Sequence, residues 1–263
     1  MRRSVVSVIA LAGSVFWTGI AFAADMPARP YAKAPSLYQA PPNWTGCYLG
    51  GNIGAGWTDT HSGGIALFGV PFPFIDFGGS TGNGLIGGGQ VGCDYQFASH
   101  WVVGIQGKAE FGTINTSNPV AAFPGVTAAY QVKNTETLTA RLGYLFGPAV
   151  LGYVKGGGAW TNANAAAFAG PLLAEKADFS MSGYTVGAGL EWMFAPGWSV
   201  FGEYNYMNFG TKNVDLFSTG QVVAGFGAAG ALSDTIAMRI RSQEAIVGVN
   251  YKFNWGSPVV ARY

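Results

Sequence analysis

The chain has 263 residues, with 14 Lys and Arg against 13 Asp and Glu, and it is 49% hydrophobic but only 10% charged. Nothing in that balance suggests a nucleic-acid partner, and beyond the first 23 residues no segment approaches the roughly 18 consecutive apolar residues of a spanning helix. The 41 glycines sit within alternating segments and follow no collagen-like period.

The chain opens Met1-Arg2-Arg3, runs apolar from Val5 to Phe22 and reaches the small-x-small triplet Ala21-Phe22-Ala23. This pattern predicts a secretory signal peptide over residues 1–23. An uncleaved membrane helix fits less well, because no stop-transfer charges follow. With Arg2 and Arg3 removed, 12 basic residues face 13 acidic ones. Residues 24–43 hold Pro27, Pro30, Pro35, Pro41 and Pro42, a composition that predicts an extended periplasmic leader with no fold of its own.

Eight segments of alternating apolar and polar residues follow, over about 45–57, 85–97, 101–113, 135–145, 150–160, 182–194, 198–209 and 236–253. A period of two is that of a β-strand, and each segment is long enough to span a bilayer at a tilt. Three connections are tight: Ala98-Ser99-His100, Phe146-Gly147-Pro148-Ala149 and Ala195-Pro196-Gly197. Four are long, over about 58–84, 114–134, 161–181 and 210–235. Only helices and closed barrels satisfy their backbone in lipid, so residues 44–263 are expected to form an all-β, eight-stranded antiparallel transmembrane barrel. Its short turns should face the periplasm and its four long loops the outside. Gly87-Gly88-Gly89 with Gly92 matches a dinucleotide fingerprint on paper, but it lies within a strand and opens no helix.

Parity assigns the faces. Leu85, Val91, Tyr95 and Phe97, then Trp101, Val103, Ile105 and Phe111, then Val247, Val249, Tyr251 and Phe253 fall on lipid-facing positions. The opposite parity carries Asp94, Lys108, Glu110, Arg141, Lys155, Glu191, Glu203 and Glu244, with Gln90, Gln106 and Asn205. An eight-stranded barrel is just wide enough for its own side chains, so these charges are expected to plug the lumen as a structural network. The competing reading is a narrow pore in which they select ions.

Cys47 and Cys93 are the only cysteines in the chain. Antiparallel pairing keeps the sum of opposed residue numbers constant, and a register that sets Trp57 near Asn83 gives 140. The same register sets Cys47 opposite Cys93, within reach of a disulfide in the oxidising periplasm. The bland alternative is two small apolar residues that happen to replace aromatics.

The segments Asn43-Trp44-Thr45-Gly46-Cys47-Tyr48-Leu49-Gly50-Gly51, Tyr153-Val154-Lys155-Gly156-Gly157, Gly183-Tyr184-Thr185-Val186-Gly187-Ala188-Gly189-Leu190-Glu191-Trp192 and Trp198-Ser199-Val200-Phe201-Gly202-Glu203-Tyr204 resemble the RopB-type small outer-membrane surface antigens of alphaproteobacteria. The resemblance runs from about residue 43 to 253 and implies a barrel like the transmembrane domain of OmpA, with no catalytic residues. The family usually places aromatics where this chain has Cys47 and Cys93, and it usually ends near a terminal Phe, whereas this chain continues to Tyr263.

Enzymatic barrels that modify lipid A need a His paired with a Ser or an acid. His100 falls in a predicted periplasmic turn, and His61 lies near Asp59 and Ser62 in the first predicted long loop. Adjacent residues on a loop rarely preorganise a triad, so His61 reads better as a solvated side chain than as a base or a haem or metal ligand. No metal or cofactor is expected. The leading function is a non-enzymatic outer-membrane protein that supports the envelope and presents surface loops. A narrow solute channel comes second and a lipid-modifying enzyme third. The expected partners are outer-membrane lipid and lipopolysaccharide, the barrel assembly machinery, and a surface-loop ligand that the sequence does not name.

Overall fold

The computed structural model describes residues 43–222 and 224–253; the expected signal peptide, all but the last residue of the expected leader, and residues 254–263 lie outside them. Eight strands follow in chain order: β1 (Gly46–Leu67), β2 (Val70–Phe97), β3 (Trp101–Pro119), β4 (Val126–Gly147), β5 (Val150–Ala169), β6 (Leu172–Ala195), β7 (Trp198–Ser218) and β8 (Leu232–Phe253). Each pairs with the next, and β1 pairs with β8, closing the sheet into a barrel. Every strand is antiparallel to its neighbours.

The strands run well past the predicted spans, and the four long loops are mostly strand. β1 continues ten residues beyond Trp57 and turns into β2 through Phe68-Gly69 alone. Both residues have positive φ, 48° and 78°, as a type I′ hairpin requires. β5 and β6 join through Gly170-Pro171, where Gly170 supplies the positive φ. The true outer loops are thus two of two residues each, 120–125, and 219–231. His61 correspondingly sits on β1, between Gly79 and Arg239, and not in a loop.

Length decides what the extensions are for. A 22-residue strand such as β8 rises about 50 Å at about 3.3 Å per residue and a tilt of about 45°, against roughly 30 Å of hydrocarbon. About two-fifths of such a strand therefore stands clear of the bilayer. The chemistry of the faces inverts at that boundary while the parity holds. On β8, Phe253, Tyr251, Val249 and Val247 point outward and Lys252, Asn250 and Glu244 inward. Further along, Arg241 and Arg239 point outward and Ile240, Met238 and Ile236 inward. The lower half of β8 is apolar outside and polar within, and its upper half is the reverse.

Closing so small a ring brings backbones together where side chains cannot fit. A Cβ on Gly88 would lie 2.0 Å from the Ala109 carbonyl oxygen, and one on Gly157 at 2.0 Å from that of Leu138. These inward glycines let β2 and β5 coil against their neighbours.

The β1–β2 register sums to 140 from Gly46↔Asp94 through Ser62↔Gly78. It sets Cys47 directly across from Cys93 on the outer face, and the two form a disulfide. With the cysteines 46 positions apart, the chain-entropy model gives about 4 kcal/mol of stabilisation. Mature protein exported under oxidising conditions should therefore contain no free thiol by mass spectrometry, and Cys47→Ser with Cys93→Ser should lower its urea midpoint without changing its sheet content.

Candidate functional site

The inward-facing side chains build two tiers, an ionic plug in the lower half and an apolar-walled cup above it. The plug starts with Trp44, which precedes β1, is fully buried, and donates its indole N–H to the Pro148 carbonyl at 3.1 Å. Lys252 donates to the Trp44 carbonyl at 2.9 Å and to Asp94 Oδ2 at 2.6 Å. Arg141 grips the same Asp94 through Nε at 2.7 Å and through a second guanidinium nitrogen, and it reaches Glu191 at 3.1 Å. Its guanidinium also lies over the rings of Tyr48 and Tyr153, at 4.8 and 5.0 Å. Planar, bidentate pairing of this kind suits Arg better than Lys.

One layer higher, Lys155 donates to Glu203 at 2.5 Å and to Gln106 Oε1 at 2.8 Å. Tyr153 donates to the other Glu203 oxygen at 2.8 Å, and Asn205 bridges Glu203 and Glu244 at 2.7 Å each. Lys108 contacts Glu244, Glu110 at 3.2 Å and Glu203 at 3.7 Å. All eight lumen charges singled out by parity thus lie buried in one connected network. Parity also implicates Lys252, which shares the inward face of β8 with Glu244 and Asn250. Trp44 has no such signal, because it lies before the first strand. Among the described residues the network sets four cations against five carboxylates, so little net charge is left in the plug. Beside Glu110 and Glu244 lies a void of about 20 Å³, room for about one water.

Above the plug the interior turns apolar, with Ile86, Ile114, Met207, Met238 and Ile240 buried against one another. That floor supports a half-open cavity of about 560 Å³ at the outer end, among them Phe77, Val126, Ala128, Ala167, Leu216 and Ile236. Glu175 from β6 and Ser233 and Asp234 from β8 also line it. Burial pushes the Glu175 carboxyl above its ordinary range. Burial, and then the charge of Glu175, push Asp234 up to about 7. Tyr130 is raised by burial too, partly offset by its 2.6 Å hydrogen bond with Ser62.

The Asp59, His61 and Ser62 group is split by the strand. Ser62 faces inward to Tyr130, whereas His61 and Asp59 face out, His61 lying 3.3 Å from Asp76. Ser62 and His61 therefore cannot share a proton. His100 stacks on Tyr144 in the β3 entry turn, at the opposite end of the barrel.

Arg141→Ala should cost about 3–5 kcal/mol, because it leaves Asp94 and Glu191 buried without their cation. Lys133→Ala removes only an outer pair, 3.3 Å from Asp178, and should cost about 0–1 kcal/mol. Urea unfolding in lipid vesicles separates the two. Asp234 gives a pH test. Its folded carboxyl keeps its proton up to about 7, while the unfolded chain releases it near 3.8. Folding takes up a proton between those values, so stability falls as pH rises through that window. Asp234→Asn should raise the unfolding midpoint at pH 8, and the gain should shrink toward pH 4.

A model of the family described as outer membrane protein beta-barrel domain matches residues 21–253. The 31 kDa outer-membrane immunogenic protein of Brucella melitensis is 28% identical over 268 residues, covering 94% of this chain and 99% of that protein. Among solved structures, OprG of Pseudomonas aeruginosa aligns over 82% of this chain and 100% of its own at 13% identity and a TM-score of 0.47. The outer membrane protease OmpT of Escherichia coli aligns over 82% and 99% at 8% identity and the same TM-score of 0.47.

Proposed function

The chain belongs to the outer membrane protein β-barrel domain family, and on that premise we propose that it is a non-enzymatic envelope protein with a closed lumen. Its work on this reading is to support the outer membrane and to hold a rigid platform outside it. The observation that carries the reading is the plug: Asp94, Arg141, Glu191, Lys155, Glu203, Lys108 and Glu244 occupy the lower lumen, each bonded to at least one other. An ion crossing that layer would have to displace paired, desolvated charges, which is costly.

The platform is the upper half of the barrel. Short hairpins at Phe68-Gly69 and Gly170-Pro171 hold it stiff, so it presents strand surface more than loop. The Brucella relative is named as immunogenic, which fits a part accessible from outside. Lys133, Lys212, Arg239 and Arg241 face outward a few residues above Trp57 and Trp160, at the height of lipid phosphates, which suits lipopolysaccharide as a partner. Assembly by the barrel assembly machinery follows from the β-barrel class.

Planar-bilayer recording of the refolded mature protein should give no conductance steps above the bare membrane. Steady unitary steps would overturn the closed-lumen reading in favour of a narrow channel, and a changed lipid A mass on expression would overturn the non-enzymatic one.

A further inference from the structure

The inward-facing carboxylates of this barrel fall into two classes. Asp94, Glu191, Glu203 and Glu244 each meet a Lys or Arg inside the plug. Glu175 and Asp234 do not: among the described residues the lining of the outer cup contains neither Lys nor Arg. Among the described residues Glu175 Oε2 and Asp234 Oδ1 are buried without a hydrogen-bond partner, Ser233 lies beside Glu175, and both Glu175 and Ser233 are more than nine-tenths buried. Leaving such groups unpaired is costly, and a hollow beside them is where an outside partner supplies what the chain does not.

We propose that the outer cup binds an amphiphile with an apolar body and a cationic ammonium head. The head would sit between Glu175 and Asp234, accepting no hydrogen bonds and donating to Glu175 Oε2, Asp234 Oδ1 and Ser233 Oγ. The body would lie against Phe77, Ala128, Ala167 and Ile236. A cavity of about 560 Å³ is within the usual range for small-molecule sites, which combine mostly apolar walls with a few convergent polar groups. A hard divalent cation fits worse. Calcium takes six to eight oxygen ligands, and the cup offers two carboxylates and one hydroxyl among apolar walls. An anionic amphiphile would meet two carboxylates and no cation. The two residues come from different strands, β6 and β8, 59 positions apart, so the pairing is a property of the folded cup.

The inference rests on the proposed function only in that the cup opens to the outside. It does not rest on the closed lumen. The test uses the mature protein in lipid nanodiscs at pH 8, with octylamine, octanol and octanoate as probes and empty nanodiscs subtracted. Octylamine should bind at least about tenfold more tightly than octanol, as a charged hydrogen bond in a desolvated site implies, and octanoate should bind least. In Glu175→Gln with Asp234→Asn the preference for the amine should fall to near unity while octanol binding persists. Ala167→Phe, which fills the cup, should remove both. Where the double variant fails to fold, Asp234→Asn alone should show a smaller loss in the same direction. Equal binding of amine and alcohol, an amine preference that survives the carboxylate substitutions, or no binding above empty nanodiscs would each overturn the proposal. None of these outcomes bears on conductance, so failure here is distinguishable from failure of the closed-lumen reading.

Discussion

A sheet that crosses hydrocarbon has no water to satisfy its edges, so β1 must find β8 and the ring must close. Most of the remaining architecture follows from closing it with eight strands. The interior is then only as wide as its side chains, and glycine is needed where neighbouring backbones approach, as at Gly88 and Gly157. Any charge placed inside must find its partner inside. Arg141 answers Asp94 and Glu191, Lys155 answers Glu203, and Lys108 answers Glu244. Removing water from these groups makes each pairing stronger and each unpaired member costlier. The plug therefore leaves each of these lumen charges with a partner inside the ring.

The second constraint is that each strand reads two solvents. Below the level of Trp57 the outer face meets lipid and carries Leu49 and Ile53, more than half exposed. Above it the outer face meets water and carries Asp59 and His61. The inner face changes the other way, from Lys252 and Glu244 to Ile240 and Met238. One strand thus joins an inside-out membrane barrel to an ordinary soluble one without a break. That is how a chain can be nearly half hydrophobic and contain, among the described residues, no helix long and apolar enough to cross a membrane.

The eight strands and their faces were legible because the lower half combines strict alternation, aromatics at the belt and tight Pro- and Gly-containing turns. The upper extensions were not, because the pattern that identifies a lipid-facing strand is reversed there. In β5 the extension reads Asn162-Ala163-Asn164-Ala165-Ala166-Ala167, small and polar enough to pass for a loop. The first hairpin was hidden for a different reason. A type I′ turn favours Asn or Asp at its first central position, and here Phe68 takes that place with a φ of 48°. The lumen charges were found by parity, yet their partners across the ring were not, since Arg141 meets Asp94 47 positions away. Glu175 and Asp234 lay in segments read as loops, and no local signal brings them together.

The contrast between plug and cup also bears on where this fold tolerates cost. In the lower half an uncompensated charge would sit in a layer enclosed by lipid, with no solvent to relieve it. The cup opens to water at its outer end, and burial there raises both the Glu175 and the Asp234 carboxyls, Asp234 to about 7. Their expense is local, and closure, plug and the Cys47–Cys93 bond lie elsewhere in the barrel. A group whose partner is missing from its own chain can persist where it does not threaten the fold. The open end of the barrel that holds the cup meets that condition, because there the unpaired groups lie next to solvent and away from the plug.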